Sequence, residues 1–309
     1  MPGSVLKKIG VIIMTYGSAT TAEHVADYMQ HIYKNAVPAG LVDDFAERYR
    51  LVGHSPLIEI TKQQAALLAE SLNEHGDATY VVTAGMLHSH PFIEEAVEKC
   101  RDEGAEMILG IILSPQFSSF IMEGYRTVLR NTCLRHGYDE KDVHVAGPWP
   151  DEASFIELLS QRVAASLAKL RGTFGTNIPV VFTTHSLPER VVAKDPGYLD
   201  QLQRTAEAVV TKLDKPDLEW YRGYQSAGHS PEAWLKPDLV DILGQLKDKK
   251  KKAVLIVPIQ FLADHLEILY DLDIAGRQQC EEYGISYNRI ELPNTDPLFI
   301  QSLAAIARK

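Results

Sequence analysis

Two rhythms of hydrophobic and polar positions alternate along the chain. The first is a short, nearly continuous apolar run rich in β-branched residues, which begins with Ile9–Thr15. Such a run reads as a strand buried on both faces of a parallel sheet. Similar runs fall at Thr79–Thr83, Met107–Leu113, Val143–Ala146, Ile178–Thr183, Leu218–Tyr224, Ala253–Pro258 and Ser286–Ile290. In the second rhythm apolar residues recur three and four apart, the spacing of one helix face. It predicts helices over Thr21–Tyr33, Leu41–Leu51, Leu57–Leu72, Met122–Arg135, Glu152–Leu170, Tyr198–Leu213, Leu239–Leu246, Asp264–Tyr283 and Leu298–Ala307. One more runs to Lys99 with Pro91 near its start, where proline is tolerated.

Strand–helix alternation implies α/β architecture, with parallel sheets joined by right-handed crossovers. Four predicted strands fall in each half, and the Gly/Thr-rich stretch Arg171–Asn177 reads as the linker. The expectation is two similar domains, residues 1–172 and 173–309, each with a four-stranded parallel sheet flanked by helices, and a cleft between them. The last helix is placed to cross back to the first domain. The first strand of each half ends in a marked tip, Thr15-Tyr16-Gly17 and Thr184-His185-Ser186. Open α/β sheets bind ligands outside the carboxyl ends of their strands, so these tips are candidate sites.

Composition narrows the function. With 309 residues, 45% of them hydrophobic, the chain can fill sizeable cores. A net charge of −10 argues against general nucleic-acid binding, which needs a basic surface. The basic run Lys247–Lys252 reads as a solvated helix end. Cys100, Cys133 and Cys280 are scattered without a CxxC pair. They suit neither a disulfide framework nor a zinc cage, and three thiols cannot supply the four of an ordinary iron–sulfur cluster. Reduced thiols fit a cytoplasmic protein. The first ten residues hold too few apolar positions for a signal peptide, and no apolar run approaches the ~18 residues of a membrane span. An integral membrane protein is therefore not expected. The nucleotide-binding patterns GxGxxG and GxxxxGK[ST] and the hydrolase elbow GxSxG are all absent.

His185 offers an imidazole at a strand end, suited to binding a divalent metal or accepting a proton. Alone, such a histidine is more often structural. The neighbouring hydroxyls of Thr183, Thr184 and Ser186 are placed to orient its ring. In Phe261–Asp271, Glu267 and Asp271 lie four apart and share a helix face, with Asp264 roughly on that side and His265 on another. Paired carboxylates repel, and a cation relieves the repulsion. Tyr16 is a phenol that either packs or ligates iron. His88 and His90, two apart in a loop, are a weak metal signal. Phe117, Phe120, Trp149, Tyr224 and Trp234 supply walls for a large flat ligand. Together these groups point to metal or proton-transfer chemistry.

Taken in combination, Met14-Thr-Tyr-Gly17, Arg48-Tyr49 with Ser55-Pro-Leu57, Gly85–Phe92, Ser114–Phe120 with Tyr125, His185-Ser-Leu-Pro188, Tyr224–Gly228 with Trp234, and Ala263–Asp271 resemble the ferrochelatase family over most of the chain. The resemblance implies a chelatase fold of two Rossmann-like domains with a porphyrin cleft. It implies insertion of Fe²⁺ into a porphyrin to give haem, with iron as substrate and no permanently bound cofactor. By resemblance His185 and Glu267 are catalytic, and His185, Glu267 and Asp271 handle the metal. Tyr16, Arg48, Tyr49, Ser55 and Tyr125 contact the porphyrin. The acidic helix is often locally π-helical in the family. A tyrosine before the strand-one glycine is similar to the soluble, clusterless Gram-positive type, which acts on coproporphyrin III in preference to protoporphyrin IX. A monomer is expected. The chain departs from the family pattern at Ile32-Tyr33-Lys34, where Ile-Arg-Arg is common, and at Leu87-His88, where Lys-His is usual. It also has Ala275 four residues past Asp271. These departures keep a cobalt or nickel chelatase, or a non-catalytic haem carrier, as alternatives.

Overall fold

The computed structural model describes residues 7–34, 36–74, 76, 78–228 and 230–309. Residues 1–6, on which part of the leader-peptide reading falls, lie outside the described residues. The first sheet is built on β1 (Lys8–Thr15), whose Val11–Met14 are fully buried. Burial of each such side chain contributes roughly 1.5–3 kcal/mol. β1 pairs in parallel with β2 (Thr79–Met86) on one side and β3 (Met107–Ile112) on the other, and β4 (Val143–Val145) closes an edge. Gly10 permits the close approach of this sheet to its covering helix: a Cβ there would lie 2.6 Å from Ile108 Cδ1 and 2.9 Å from Cys100 Cβ.

The second sheet repeats the plan. β5 (Val180–His185) is central, flanked in parallel by β6 (Trp220–Gln225) and β7 (Ala253–Pro258), with β8 (Ser286–Arg289) beyond. The strand orders are β2-β1-β3-β4 and β6-β5-β7-β8, so the chain traces the same topology twice. The helices are α1 (Val25–Tyr33), α2 (Leu41–Val52), α3 (Leu57–Asn73), α4 (Ile93–Asp102), α5 (Ser119–Arg135), α6 (Ala153–Phe174), α7 (Glu189–Val192), α8 (Gly197–Leu213), α9 (Leu239–Asp248), α10 (Arg277–Glu282) and α11 (Pro297–Ala307). A π-helix, Glu267–Gly276, precedes α10.

α6 packs against α8 and β7 of the second half, and α11 packs against α3 and α6. Phe155, Phe182, Val257 and Phe299 therefore share one hydrophobic core with Val11 and Ile12. Buried amides also join the halves. Gln64 Nε2 donates to the Asn294 carbonyl at 2.8 Å, and Gln116 Nε2 donates to Thr205 Oγ1 at 2.9 Å. Cys100, Cys133 and Cys280 are buried and unpaired, and burial pushes each thiol up to about 12. Among the described residues no helix is long and apolar enough to cross a membrane.

Several elements differ from the sequence expectation: α7 was not expected, β2 runs past Thr83 to Met86, and α5 starts at Ser119 rather than Met122. α6 runs through Arg171–Phe174, most of the expected linker, and stops only where Gly175 turns to φ +74°. The helix expected from Thr21 opens with a 3₁₀ turn, Ala22–His24. The helix expected from Asp264 starts later, and its first ten residues are π-helical.

Candidate active site

The carboxyl ends of β1 and β5 face the junction between the halves, and the π-helix lies across it. His185 is the last residue of β5, and its backbone N–H donates to Gln260 Oε1 at 3.1 Å. Its Nδ1 sits against the Ser186 carbonyl. A carbonyl only accepts, so Nδ1 carries the proton and Nε2 presents a lone pair. That lone pair faces Glu267 Oε2 at 3.8 Å. The orienting group is thus a backbone carbonyl and none of the expected hydroxyls. Thr183 and Thr184 Oγ1 are buried without a partner, and Ser186 Oγ donates to the Leu235 carbonyl.

Glu267 opens the π-helix. Its i→i+5 bonding widens the turn, a form that recurs at functional sites. The loop before it brings in a residue that an α-helical wheel misplaced. His265 Nδ1 pairs with the Ala263 carbonyl at 3.0 Å, and its Nε2 lies 3.7 Å from the same Glu267 Oε2. Two imidazole lone pairs thus converge on one carboxylate oxygen. These separations are too long for hydrogen bonds. They are gaps that a proton or a cation, with metal–ligand bonds of about 2.0–2.2 Å, bridges. Among the described residues no three His, Cys, Asp or Glu side chains are grouped to hold a metal ion. Asp264, also expected near Glu267, turns away: its Oδ2 accepts from Asn294 Nδ2 at 2.8 Å and its Oδ1 lies 3.5 Å from Arg289.

The two acids of the π-helix are pushed in opposite directions. Glu267 lies deep in the junction, although its carboxylate keeps about a third of its surface open. Burial alone would raise its pKa. His185 and His265, once either ring carries a proton, and the charge of Arg48 outweigh burial and hold it below the ordinary value. Asp271 is raised by burial and by the charge of Glu267, against a bond donated by Ser226 Oγ and the pull of Arg48 at 3.7 Å. Past Asp271, Ala275 and Gly276 line a cavity of about 260 Å³ shared with Gln225, Ser226, Asp238 and Gln279.

Tyr16 stands at the β1 tip with 44% of its surface exposed, its ring 4.4 Å from that of His88. Burial of its hydroxyl, with the charges of Glu267 and Tyr33, pushes the phenol up to about 12. Gly17 makes the tip possible. Its φ is +94°, and a Cβ would lie 2.5 Å from Ser89 Oγ. Arg48, on α2, reaches Asp271 and stacks over Phe45 and Tyr270 at 5.0 and 5.1 Å. Tyr49 and Ser55 are each only 2% exposed and are joined through Ser18 Oγ, at 2.7 and 2.8 Å. A ligand contact at either hydroxyl has to replace those bonds. Tyr125 is buried, and its phenol is raised by burial and by Tyr16. His88 and His90 do not pair with each other: His90 Nδ1 meets Glu95 at 2.8 Å, while His88 meets His31 of α1.

Two matched parallel sheets thus meet at an imidazole–carboxylate cluster. The ferrochelatase family profile matches residues 8–309. The chain is 35% identical to the coproporphyrin III ferrochelatase of Geobacillus kaustophilus, over 99% of this chain and 96% of that one. It is 36% identical to the coproporphyrin III ferrochelatase of Anoxybacillus flavithermus, over 97% and 95%. Among solved structures, SirB from Bacillus subtilis with Fe³⁺ has the same fold, with a TM-score of 0.58 at 13% identity, covering 98% of this chain and 95% of that one. The chain belongs to the ferrochelatase family.

Proposed function

We infer that the protein inserts Fe²⁺ into coproporphyrin III in haem biosynthesis, as the names of its full-length relatives imply. The observation that carries the chemical reading is the approach of His185 Nε2 and Glu267 Oε2 to 3.8 Å at the junction of the two sheets. A free porphyrin has two pyrrole N–H protons that must leave as the metal enters. His185 is the acceptor: its Nδ1–H is engaged by Ser186, so its free Nε2 lone pair takes the two protons one at a time, each handed on before the next arrives. Glu267, held ionised, stabilises the imidazolium and the arriving cation. Asp271, whose pKa is raised, takes the proton onward and passes it towards the cavity at Ala275. Neighbouring carboxylates pushed apart in pKa mark a division of acid and base roles.

His265, 3.7 Å from the same Glu267 Oε2, adds a positive charge beside that carboxylate once its ring is protonated. Tyr16 stands on the opposite sheet tip and faces the metal from the other side of the porphyrin. Arg48 offers its guanidinium to a propionate, and Tyr49, Ser55 and Tyr125 line that end of the site. Three buried, unpaired cysteines support a clusterless enzyme, and we take it to work as a cytoplasmic monomer. The test is anaerobic incubation with Fe²⁺ and each porphyrin, followed by absorbance. Metallation of coproporphyrin III with His185 and Glu267 intact is expected. Metallation by Co²⁺ or Ni²⁺ alone would overturn the assignment to iron.

A further inference from the structure

We propose that His31 and His88 form a second metal site, separate from the His185–Glu267 pair, that takes a divalent transition cation with tetragonal preference such as Cu²⁺ or Ni²⁺. The two Nδ1 atoms lie 3.0 Å apart, and the rings meet edge to edge with planes crossing at 68°. With metal–nitrogen bonds of about 2.0–2.1 Å, that separation corresponds to an N–metal–N angle of about 95°. This is the cis angle of a square-planar or tetragonal centre, whereas a tetrahedral ion would spread the pair to about 3.4 Å. Without a cation, two nitrogens this close must share one proton, since facing lone pairs repel. Metal binding needs only that the donor ring move its proton from Nδ1 to Nε2.

The surroundings favour a neutral His88, the form a metal requires. His88 is half-buried, and burial together with the neighbouring His31 lowers its pKa to about 4. Phe92 stacks on His31 at 5.1 Å and Tyr16 leans on His88 at 4.4 Å, so both rings are held. His31 is exposed, which leaves an entry path and room for waters to complete the shell. Among the described residues no third His, Cys, Asp or Glu joins the pair. Two-point binding through imidazoles is tighter for Cu²⁺ than for Zn²⁺. A cation held here sits beside Tyr16 on the first sheet and not at His185 on the second. The histidines are 57 residues apart in sequence, one at the end of α1 and the other past β2, so the site exists only through the fold.

The experiment is titration of tag-free, full-length protein with Cu²⁺ at neutral pH, with calorimetry and electron paramagnetic resonance. The His185→Ala, Glu267→Gln double variant is expected to keep one bound Cu²⁺ showing two nitrogen ligands. His31→Gln, an exposed change that leaves the core alone, is expected to weaken that binding at least tenfold, as is His88→Ala. Cu²⁺ affinity unchanged in both single variants would overturn the proposal, as would loss of all tight binding in the double variant. Neither readout depends on porphyrin metallation, so the outcome is independent of the proposed function.

Discussion

The β1 and β5 tips occupy the same place in the same four-stranded order, yet they carry opposite chemistry. β5 ends in an imidazole whose free lone pair faces an ionised carboxylate. β1 ends in a phenol pushed up to about 12, which stays protonated at neutral pH. The scaffold sets position, and the local partners set role. A carbonyl at Nδ1 and a carboxylate opposite fit His185 to the acceptor role proposed for it. Partial burial and nearby negative charge make Tyr16 a neutral wall.

Substitutions test this contrast from its strong side to its weak one. His185→Ala removes the acceptor and is expected to lower the metallation rate by about 10²–10⁴-fold while coproporphyrin still quenches and binds normally. Rates near wild type would take His185 out of the chemistry. Gly17→Ala strains the β1 tip, because its φ is +94° and Ser89 stands where the Cβ would go. A stability loss of about 1–3 kcal/mol is expected by chemical denaturation. Arg48→Ala should raise the coproporphyrin dissociation constant about tenfold, or roughly 1.4 kcal/mol, with little change in kcat. An unchanged constant would mean that Asp271 keeps this guanidinium to itself. Tyr16→Phe keeps the ring against His88 and loses only a protonated hydroxyl, so the rate should stay within about tenfold. A collapse as deep as that of His185→Ala would show that the two tips are chemically equivalent.

The far end of the second sheet gives a control region where charge serves stability alone. Burial raises the Glu219 carboxyl, but Lys251, Tyr221 and Lys249 outweigh it and bring it down to about 2. A depressed carboxylate contributes stability that is present above its unfolded pKa, near 4.3, and is lost as pH falls towards 2. Glu219→Gln should therefore cost on the order of 1 kcal/mol at pH 7, after solvent screening, and almost nothing near pH 2. Equal loss at both pH values would show that packing, and not charge, holds this corner.

Much of the fold was legible because buried parallel strands write themselves as β-branched runs: Ala253–Pro258 was bounded as observed, and Ile9–Thr15 missed only Lys8. The π-helix was not legible from periodicity, since a 3.6-residue template reads Asp264–Tyr283 as one α-helix. That template also puts Asp264 on the Glu267 face and His265 off it, the reverse of what the structure shows. His265 precedes the helix, so no helical rotation constrains it, and Asn294 draws Asp264 away. His185 and Glu267 were readable as chemical types, but two further strands, β6 and β7, lie between them in the chain and only the fold brings them together. The His31–His88 contact left no mark at all, because nothing in the spacing of two histidines 57 apart signals that they touch.

The central claim is most directly tested by following the absorbance of coproporphyrin III with Fe²⁺ under anaerobic conditions, comparing wild type with His185→Ala. The account predicts rapid formation of the iron porphyrin by wild type, slower turnover of protoporphyrin IX, and a variant that binds coproporphyrin without metallating it. Tight coproporphyrin binding by the wild type with no iron insertion would contradict the account.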